Sequence, residues 1–380
     1  MNVCPKQAIS MKPDEDGFLY PVIDEALCVE CGLCTKACAF QNVPITADEP
    51  LATYAAINRN QVTLFDSSSG GVFAALASLV FEKDGVVFGC AFNGDMKPEH
   101  ICVDNPADMK RLQGSKYVQS DVKNTYAEAQ KYLKEGRHVL YTGTPCQIAG
   151  LKSCLGKDYS NLTTADLVCH GVPSAAFFKG YIAWLEEKLN GKITVYKFRD
   201  KSKVGMGLVG KVTFQKSGKS RGEIVYFPSH YYYYYFLHGD IYRDSCYECK
   251  YAGGSRQGDF TMGDWFGIEE SHPEIETRNG VSVLLVNSEK GMALIGELSE
   301  LLNLTKSTFE QARVQHDQLR QPAARSDRRE AILQTWREGG YQAVADEYYK
   351  ANRKRILISR IKMMVPQPVK RTLKRLLGRG

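Results

Sequence analysis

A chain of 380 residues, 43% hydrophobic and 24% charged, has the composition of an ordinary globular protein with room for two or three domains and a sizeable core. Its net charge of +6 is no argument for nucleic acid: residues 351–380 hold ten Lys or Arg and no Asp or Glu, while the rest carries 39 basic and 43 acidic side chains, a balance of −4. The first residues lack the basic and apolar regions of a signal peptide, and the longest apolar run, Gly70 to Phe81, is too short to span a bilayer.

Residues 1–50 read as a small ferredoxin-like module. Cys28, Cys31, Cys34 and Cys38 follow the spacing C-x2-C-x2-C-x3-C of a bacterial-type [4Fe–4S] loop, in which several thiolates must reach one small cube. Gly32 lets backbone amides approach the inorganic sulfides. Twelve cysteines in a chain without an export signal point to metal or redox use in a reducing compartment, so a cytoplasmic location is expected. Cys4-Pro5 resembles the end of an earlier loop. In two-cluster ferredoxins the fourth cysteine of each loop ligates the other loop's cluster. By that rule Cys4, Cys28, Cys31 and Cys34 hold one cluster. Cys38 then belongs to a second, whose other three ligands are expected ahead of Cys4 in a chain truncated at its N-terminus. Loss of one cluster, or Cys38 replacing Cys4, are the alternatives.

From residue 51 a larger α/β region begins, divided at about residue 125 into parts spanning 51–125 and 126–350. Ser67 to Gly71 precede an apolar helix, Val72 to Phe81, and a Ser/Gly turn at a helix N-terminus is a natural anion site. Ser68, Ser69, Gly70 and Gly71 are therefore candidate ligand contacts. A strand over Gly85 to Phe92 and a short helix near Asp108 follow. Gly114-Ser115-Lys116-Tyr117 then combines a flexible turn, a hydroxyl, a cation and an aromatic, as a phosphate-bearing or flavin ligand requires.

A strand over Val139 to Tyr141 runs into Thr144-Pro145-Cys146 and a helix over Gln147 to Cys154, placing Cys146 at the positive end of a helix dipole. The same pattern repeats at Cys169-His170-Gly171 before a helix over Ser174 to Leu189. Alternating strands and helices predict a mainly parallel sheet with ligands at the strand C-terminal ends. Residues 191–227 read as a β-hairpin region, and Tyr231 to Phe236 as an aromatic helix or turn packed beneath the site. Cys246 and Cys249 form a further CxxC pair, which Cys146 and Cys169 complete to four ligands. A second [4Fe–4S] cluster is the favoured occupant, and zinc in a Cys4 cage is the alternative. Cys90, Cys102 and Cys154 fall inside elements and read as structural. A strand over Val281 to Val286, a helix over Lys290 to Leu302 and polar helices to about residue 350 complete this region. Residues 351–380 mix apolar side chains, Ile356 and Leu357 among them, with the ten cations, and a basic amphipathic segment of this kind suits the inner membrane face.

Taken together, Ser68-Ser69-Gly70-Gly71, Gly114-Ser115-Lys116-Tyr117, Gly143-Thr144-Pro145-Cys146, Val168-Cys169-His170-Gly171, Cys246-x-x-Cys249 and Gly263-Asp264-Trp265 resemble the beta subunit of the deazaflavin coenzyme F-420 hydrogenases and dehydrogenases. The likeness covers about residues 1 to 290; the basic tail and the missing cysteine triplet lie outside it. It implies a ferredoxin module joined to an α/β flavin domain with its own [4Fe–4S] cluster, FAD lying near the Ser/Gly and Gly-Ser-Lys segments. Similar bacterial proteins accompany polysaccharide-biosynthesis genes such as those for pyruvyl transferases. The expected role is an oxidoreductase passing electrons between the clusters, a flavin and a small molecule, with a redox partner protein or ferredoxin. His170 and Asp264 are candidates for proton supply or cofactor contact. Use of the deazaflavin stays open, as does a purely electron-carrying subunit without a substrate.

Overall fold

The computed structural model describes residues 2–43, 47–203, 205–226 and 231–364, with side chains through residue 358. Thirteen strands are named here in chain order. In the ferredoxin module β1 (Ile9–Pro13) and β2 (Leu19–Ile23) form an antiparallel hairpin, and the cysteine loop follows with one helical turn at Leu33–Lys36.

The body is built on one eight-stranded sheet. Its members are β3 (Ala52–Asn58), β4 (Val86–Phe92), β5 (Pro98–Val103), β6 (Val139–Gly143), β7 (Leu162–Leu167), β11 (Phe260–Asp264), β12 (Ser282–Val286) and β13 (Leu302–Ser307), in the order β13-β3-β12-β11-β7-β6-β4-β5. Only β4, β6, β7 and β11 run parallel; both flanks are antiparallel. The expectation of a mainly parallel sheet is corrected to this mixed one. Parallel neighbours need a crossover, which the helix Pro145–Leu155 supplies between β6 and β7, whereas the short turn from β4 to β5 can only reverse direction. Central strands read as continuous apolar runs because both faces are covered: every residue of β6 and β12 is buried. The sheet draws strands from both parts expected on either side of residue 125.

One face is covered by the helix Val72–Phe81, whose Val72, Leu76 and Val80 pack on Val87, Leu140 and Leu284. The other face carries the helices Thr125–Lys134 and Pro145–Leu155 over Phe88, Val139 and Tyr141. Residues 191–227 form a three-stranded antiparallel sheet rather than a single hairpin: β8 (Lys192–Lys197), β9 (Val209–Lys216) and β10 (Lys219–Tyr226). It encloses an aromatic core with the helices Ala175–Leu189 and Tyr231–Leu237, where Phe178, Tyr181 and Tyr232 are fully enclosed. The aromatic run is thus a buried helix. The region read as one helix over Lys290 to Leu302 is two, Glu289–Ala293 and Ile295–Leu301, and Leu302 opens β13.

The chain continues as a helix from Arg329 to Met364, interrupted by non-helical backbone at Gly340 and Asn352. Beyond Asn352 its Ile356 turns into the aromatic core, whereas Leu357 and Ile358 are exposed. The remainder of the basic tail, residues 365–380, lies outside the described residues. Among the described residues no helix is long and apolar enough to cross a membrane.

The ferredoxin module is fastened to the body at several points. Arg337 pairs with Asp16 at 2.6 Å; Arg243 donates to the Leu19 carbonyl and lies over the Tyr20 ring. Gly17, at φ +78°, sits where a Cβ would come within 2.3 Å of Ala176 Cβ, so the hairpin turn approaches the body as only glycine permits.

Candidate functional site

The first cysteine site is a cavity of about 260 Å³ lined by Cys4, Cys28, Cys31 and Cys34 together with apolar side chains such as Ile9 and Ile23. Backbone at Glu30 (φ 51°) and Gly32 (φ 72°) curls the loop around it. The Ala8 amide donates to Cys4 Sγ at 3.3 Å and, more than any other contact, lowers the pKa of that thiol. Cys38 is not among the lining residues. The volume and the thiol donor set fit a polynuclear iron–sulfur core.

The second cysteine set forms at the C-terminal edge of the parallel strands. Cys146 follows β6 in the first turn of the helix Pro145–Leu155, whose N-cap Thr144 makes a reciprocal capping box with Gln147 and places its hydroxyl 3.2 Å from Cys146 Sγ. Cys169 follows the adjacent parallel β7. Cys246 and Cys249 come from a separate segment that is tied down here, since the Arg243 amide donates to the Val172 carbonyl (2.9 Å). Cys146 and Cys249 pack against one buried cluster, and Cys169 and Cys246 lie near enough for their thiols to act on one another and on these two. Burial raises the pKa of Cys146, Cys169 and Cys246, the last to about 12, and the neighbouring thiols raise each further. Partly buried thiols that oppose one another's ionisation hold as thiolates around a cationic core.

What registers the CxxC segment against β7 is a fully buried ion pair. Asp166 Oδ1 of β7 accepts from Arg256 Nη2 (2.9 Å) and the Thr261 hydroxyl (2.6 Å), while Oδ2 accepts from the Gln257 and Gly258 amides. Arg256 also donates to the carbonyls of Leu167, Tyr251 and Gly253. Both sides of the four-cysteine set are thereby fixed to one guanidinium. At Gly171, beside the set, a Cβ would come within 2.4 Å of the Tyr242 ring.

Next to Cys169, along the same edge, lie the segments read as ligand contacts. The Ser115 amide donates to Ser68 Oγ (2.8 Å), the Gly70 amide to Ser282 Oγ (2.9 Å), and Ser69 Oγ to the Val281 carbonyl (2.9 Å). The Ser68–Gly71 and Gly114–Ser115 loops are thus in direct contact, at the end of β12 that pairs with Asp264. Tyr232 of the aromatic helix donates to the Tyr117 carbonyl, so that helix does underlie the site. Lys116 is placed differently from the sequence reading. Its ammonium turns inward onto the carbonyls of Arg111, Leu112, Gln113 and Gly114, and burial lowers its pKa to about 8.

Asp264 pairs with buried Arg199 at 2.9 Å. Desolvation lowers the pKa of the buried His316 and, with the His316 ring beside it, that of His170, while the Asp264 charge opposes both shifts. Among the described residues the Nε2 of His316 has no hydrogen-bond partner. Lys201 donates to the Leu64 and Ser69 carbonyls (2.6 and 2.8 Å), adding a cation behind the Ser/Gly loop whose pKa burial brings to about 8. Arg199, Lys201 and His316 are not marked in the sequence. Arg199-Asp200-Lys201 resembles any charged turn after a strand, and His316 sits in a polar stretch without a motif.

These features define an iron–sulfur protein of two parts, a ferredoxin-type module and an α/β body with a second thiol set. Residues 1–42 match the 4Fe-4S dicluster domain, and residues 136–311 match the family formed by the C-terminal part of the coenzyme F420 hydrogenase/dehydrogenase beta subunit. Among solved structures, a chain of the F420-reducing [NiFe] hydrogenase complex from Methanosarcina barkeri aligns at 15% identity and a TM-score of 0.44, covering 82% of this chain and 94% of that one. No curated protein matches the sequence.

Two outcomes are expected. Cys4→Ser lowers the iron content of the anaerobically purified protein, whereas Cys38→Ser leaves the Cys28–Cys34 signal in electron paramagnetic resonance (EPR) intact; equal loss from both would refute the ligand set drawn from the cavity. Asp166→Asn leaves Arg256 buried without its counter-charge, at a cost of about 3–5 kcal/mol in denaturant unfolding.

Proposed function

We propose that the chain is an iron–sulfur flavoprotein oxidoreductase. In this reading Cys4, Cys28, Cys31 and Cys34 hold one [4Fe–4S] cluster, Cys146, Cys169, Cys246 and Cys249 hold another, and a flavin lies along Ser68–Gly71 and Gly114–Ser115. The observation that carries it is the continuity of Cys169 and His170: one strand end contributes to the thiol set and, in the next residue, to the Asp264 edge. A flavin accepts electrons singly and delivers them in pairs, the chemistry needed between clusters and an organic substrate.

The chain's own residues supply the rest. The Ser/Gly turn leads into the N-terminus of the helix Val72–Phe81, which has no side-chain cap, with the Lys201 charge behind it, which suits the phosphates of FAD. Arg199 holds the Asp264 carboxylate in place. The lowered pKa values of His170 and His316 favour their neutral imidazoles, which can accept a proton at a ring nitrogen, and among the described residues His316 Nε2 has no hydrogen-bond partner. The deazaflavin coenzyme is one candidate partner in the two-electron step.

A redox partner protein is favoured by the apolar rim around the first cavity, where Ile23, Leu27, Val29 and Leu33 stand exposed. Membrane contact is favoured by Leu357 and Ile358, exposed among Arg353, Lys354 and Arg355.

Anaerobic preparations are expected to be yellow, with about eight irons per chain, and Cys146→Ser to lose about four while keeping the ferredoxin signal. Four irons with stoichiometric zinc, or unchanged iron in the variant, would sink the assignment of the second set. The full chain is also expected to sediment with anionic phosphatidylglycerol vesicles more than with phosphatidylcholine ones. The double variant Leu357→Asp/Ile358→Asp should abolish that difference; indifference of the parent chain to lipid charge counts against membrane contact.

A further inference from the structure

The two cysteine sites meet at one residue that neither site claims. After Cys38 the chain folds back, the Cys38 carbonyl accepting from the Gln41 and Asn42 amides (3.1 and 2.8 Å). This turn faces the segment that follows Cys249. The Tyr251 hydroxyl donates to the Ala39 carbonyl, and Lys250 Nζ donates to the Phe40 carbonyl (2.9 Å). Tyr251 is 2% exposed and forms a buried cluster with Ala39 and Ala149, against which Cys146 and Cys249 pack. Arg256 holds the Tyr251 carbonyl from the other side.

A short bonded route results. From Cys34 the chain reaches the Thr35 carbonyl, which accepts from the Cys38 amide (3.2 Å). From Cys38 it passes to the Ala39 carbonyl, across the hydrogen bond to the Tyr251 phenol, and so to a ring packed on Cys146 and Cys249. Electrons tunnel more readily along covalent and hydrogen bonds than across van der Waals gaps.

We propose that Tyr251 is the bridging residue for electron passage between the two cysteine sites, through its hydrogen bond to the Ala39 carbonyl. The inference rests on the two-cluster reading above. In each passage one electron leaves the reduced cluster at Cys4/Cys28/Cys31/Cys34, which is oxidised, and arrives at the oxidised cluster at Cys146/Cys169/Cys246/Cys249, which is reduced. Tyr251 is itself neither oxidised nor deprotonated.

The test uses the anaerobically purified full-length protein with its cofactors, reduced by one electron equivalent of dithionite and followed by rapid-freeze EPR. Tyr251→Phe removes only the hydroxyl. It is expected to keep the parent's iron content, flavin content and EPR line shapes while the second-set signal grows in several-fold more slowly. Tyr251→Leu, which also removes the ring, is expected to be slower still. Lys250→Ala breaks the neighbouring contact to Phe40 without touching the route and is expected to match the parent. An unchanged rate in Tyr251→Phe overturns the proposal. So does equal slowing in Lys250→Ala, which would make both residues simple fasteners of the module, and so does loss of iron in Tyr251→Phe, which would make the hydroxyl structural. Failure of the two-cluster reading shows separately, as a parent protein with no second-set signal.

Discussion

The Asp166–Arg256 ion pair is the interaction on which the arrangement depends. Each partner is within 1% of complete burial, and desolvating such a pair costs several kcal/mol per ion unless every hydrogen-bonding position is used. Here both are heavily used. The carboxylate accepts from Arg256, Thr261 and two backbone amides, and the guanidinium reaches three carbonyls besides. The pair joins β7, which Cys169 follows, to the segment that carries Cys246, Cys249 and Tyr251. Together with the Arg243 amide bond to the Val172 carbonyl it sets these two segments in one frame.

Around this anchor the body distributes charge with economy. Half-buried Lys116 and buried Lys201 are both satisfied by carbonyl oxygens, so their ammoniums stiffen loops from within. Only Lys201 stands behind the Ser/Gly turn. Arg199 and Asp264 pair with each other, leaving the two imidazoles, whose pKa values are lowered, and the Lys201 ammonium, whose pKa burial brings to about 8, as titratable groups along this edge. An edge so arranged can bind an anionic group through amides at the Ser/Gly turn while handling protons a short way along.

Much of this was legible in the sequence where a covalent spacing imposes the geometry. The cysteine runs, the strand–turn–helix at Cys146 and at Cys169, and the helix after Gly71 follow from local rules. Cys4 lines the first cavity together with Cys28, Cys31 and Cys34, and Cys38 lies outside that lining. What local rules do not encode is long-range pairing. One antiparallel flank is the local β4–β5 turn, but the other arises because β3 inserts between β12 and β13, a choice made by residues far apart in the chain. For the same reason Lys116 looked like a ligand contact, since nothing in Gly-Ser-Lys-Tyr says that four nearby carbonyls will claim the ammonium. Arg199, Lys201 and His316 become site residues only through the fold, being brought to Asp264 and the Ser/Gly turn from segments without a motif.

The position of β3 has a consequence for how the molecule is made. Ala52–Asn58 pairs on one side with Ser282–Val286 and on the other with Leu302–Ser307. A strand synthesised early must therefore wait, unpaired, until nearly the whole body has left the ribosome, and non-local pairing of this kind closes slowly. The ferredoxin loop has no such dependence, because Cys4 to Cys34 are all present within the first few dozen residues. Metal acquisition at the first site can precede completion of the sheet, whereas the second site cannot exist before Cys249 and its anchoring arginine arrive. The order of biosynthesis is thus also the order in which the two thiol sets are completed.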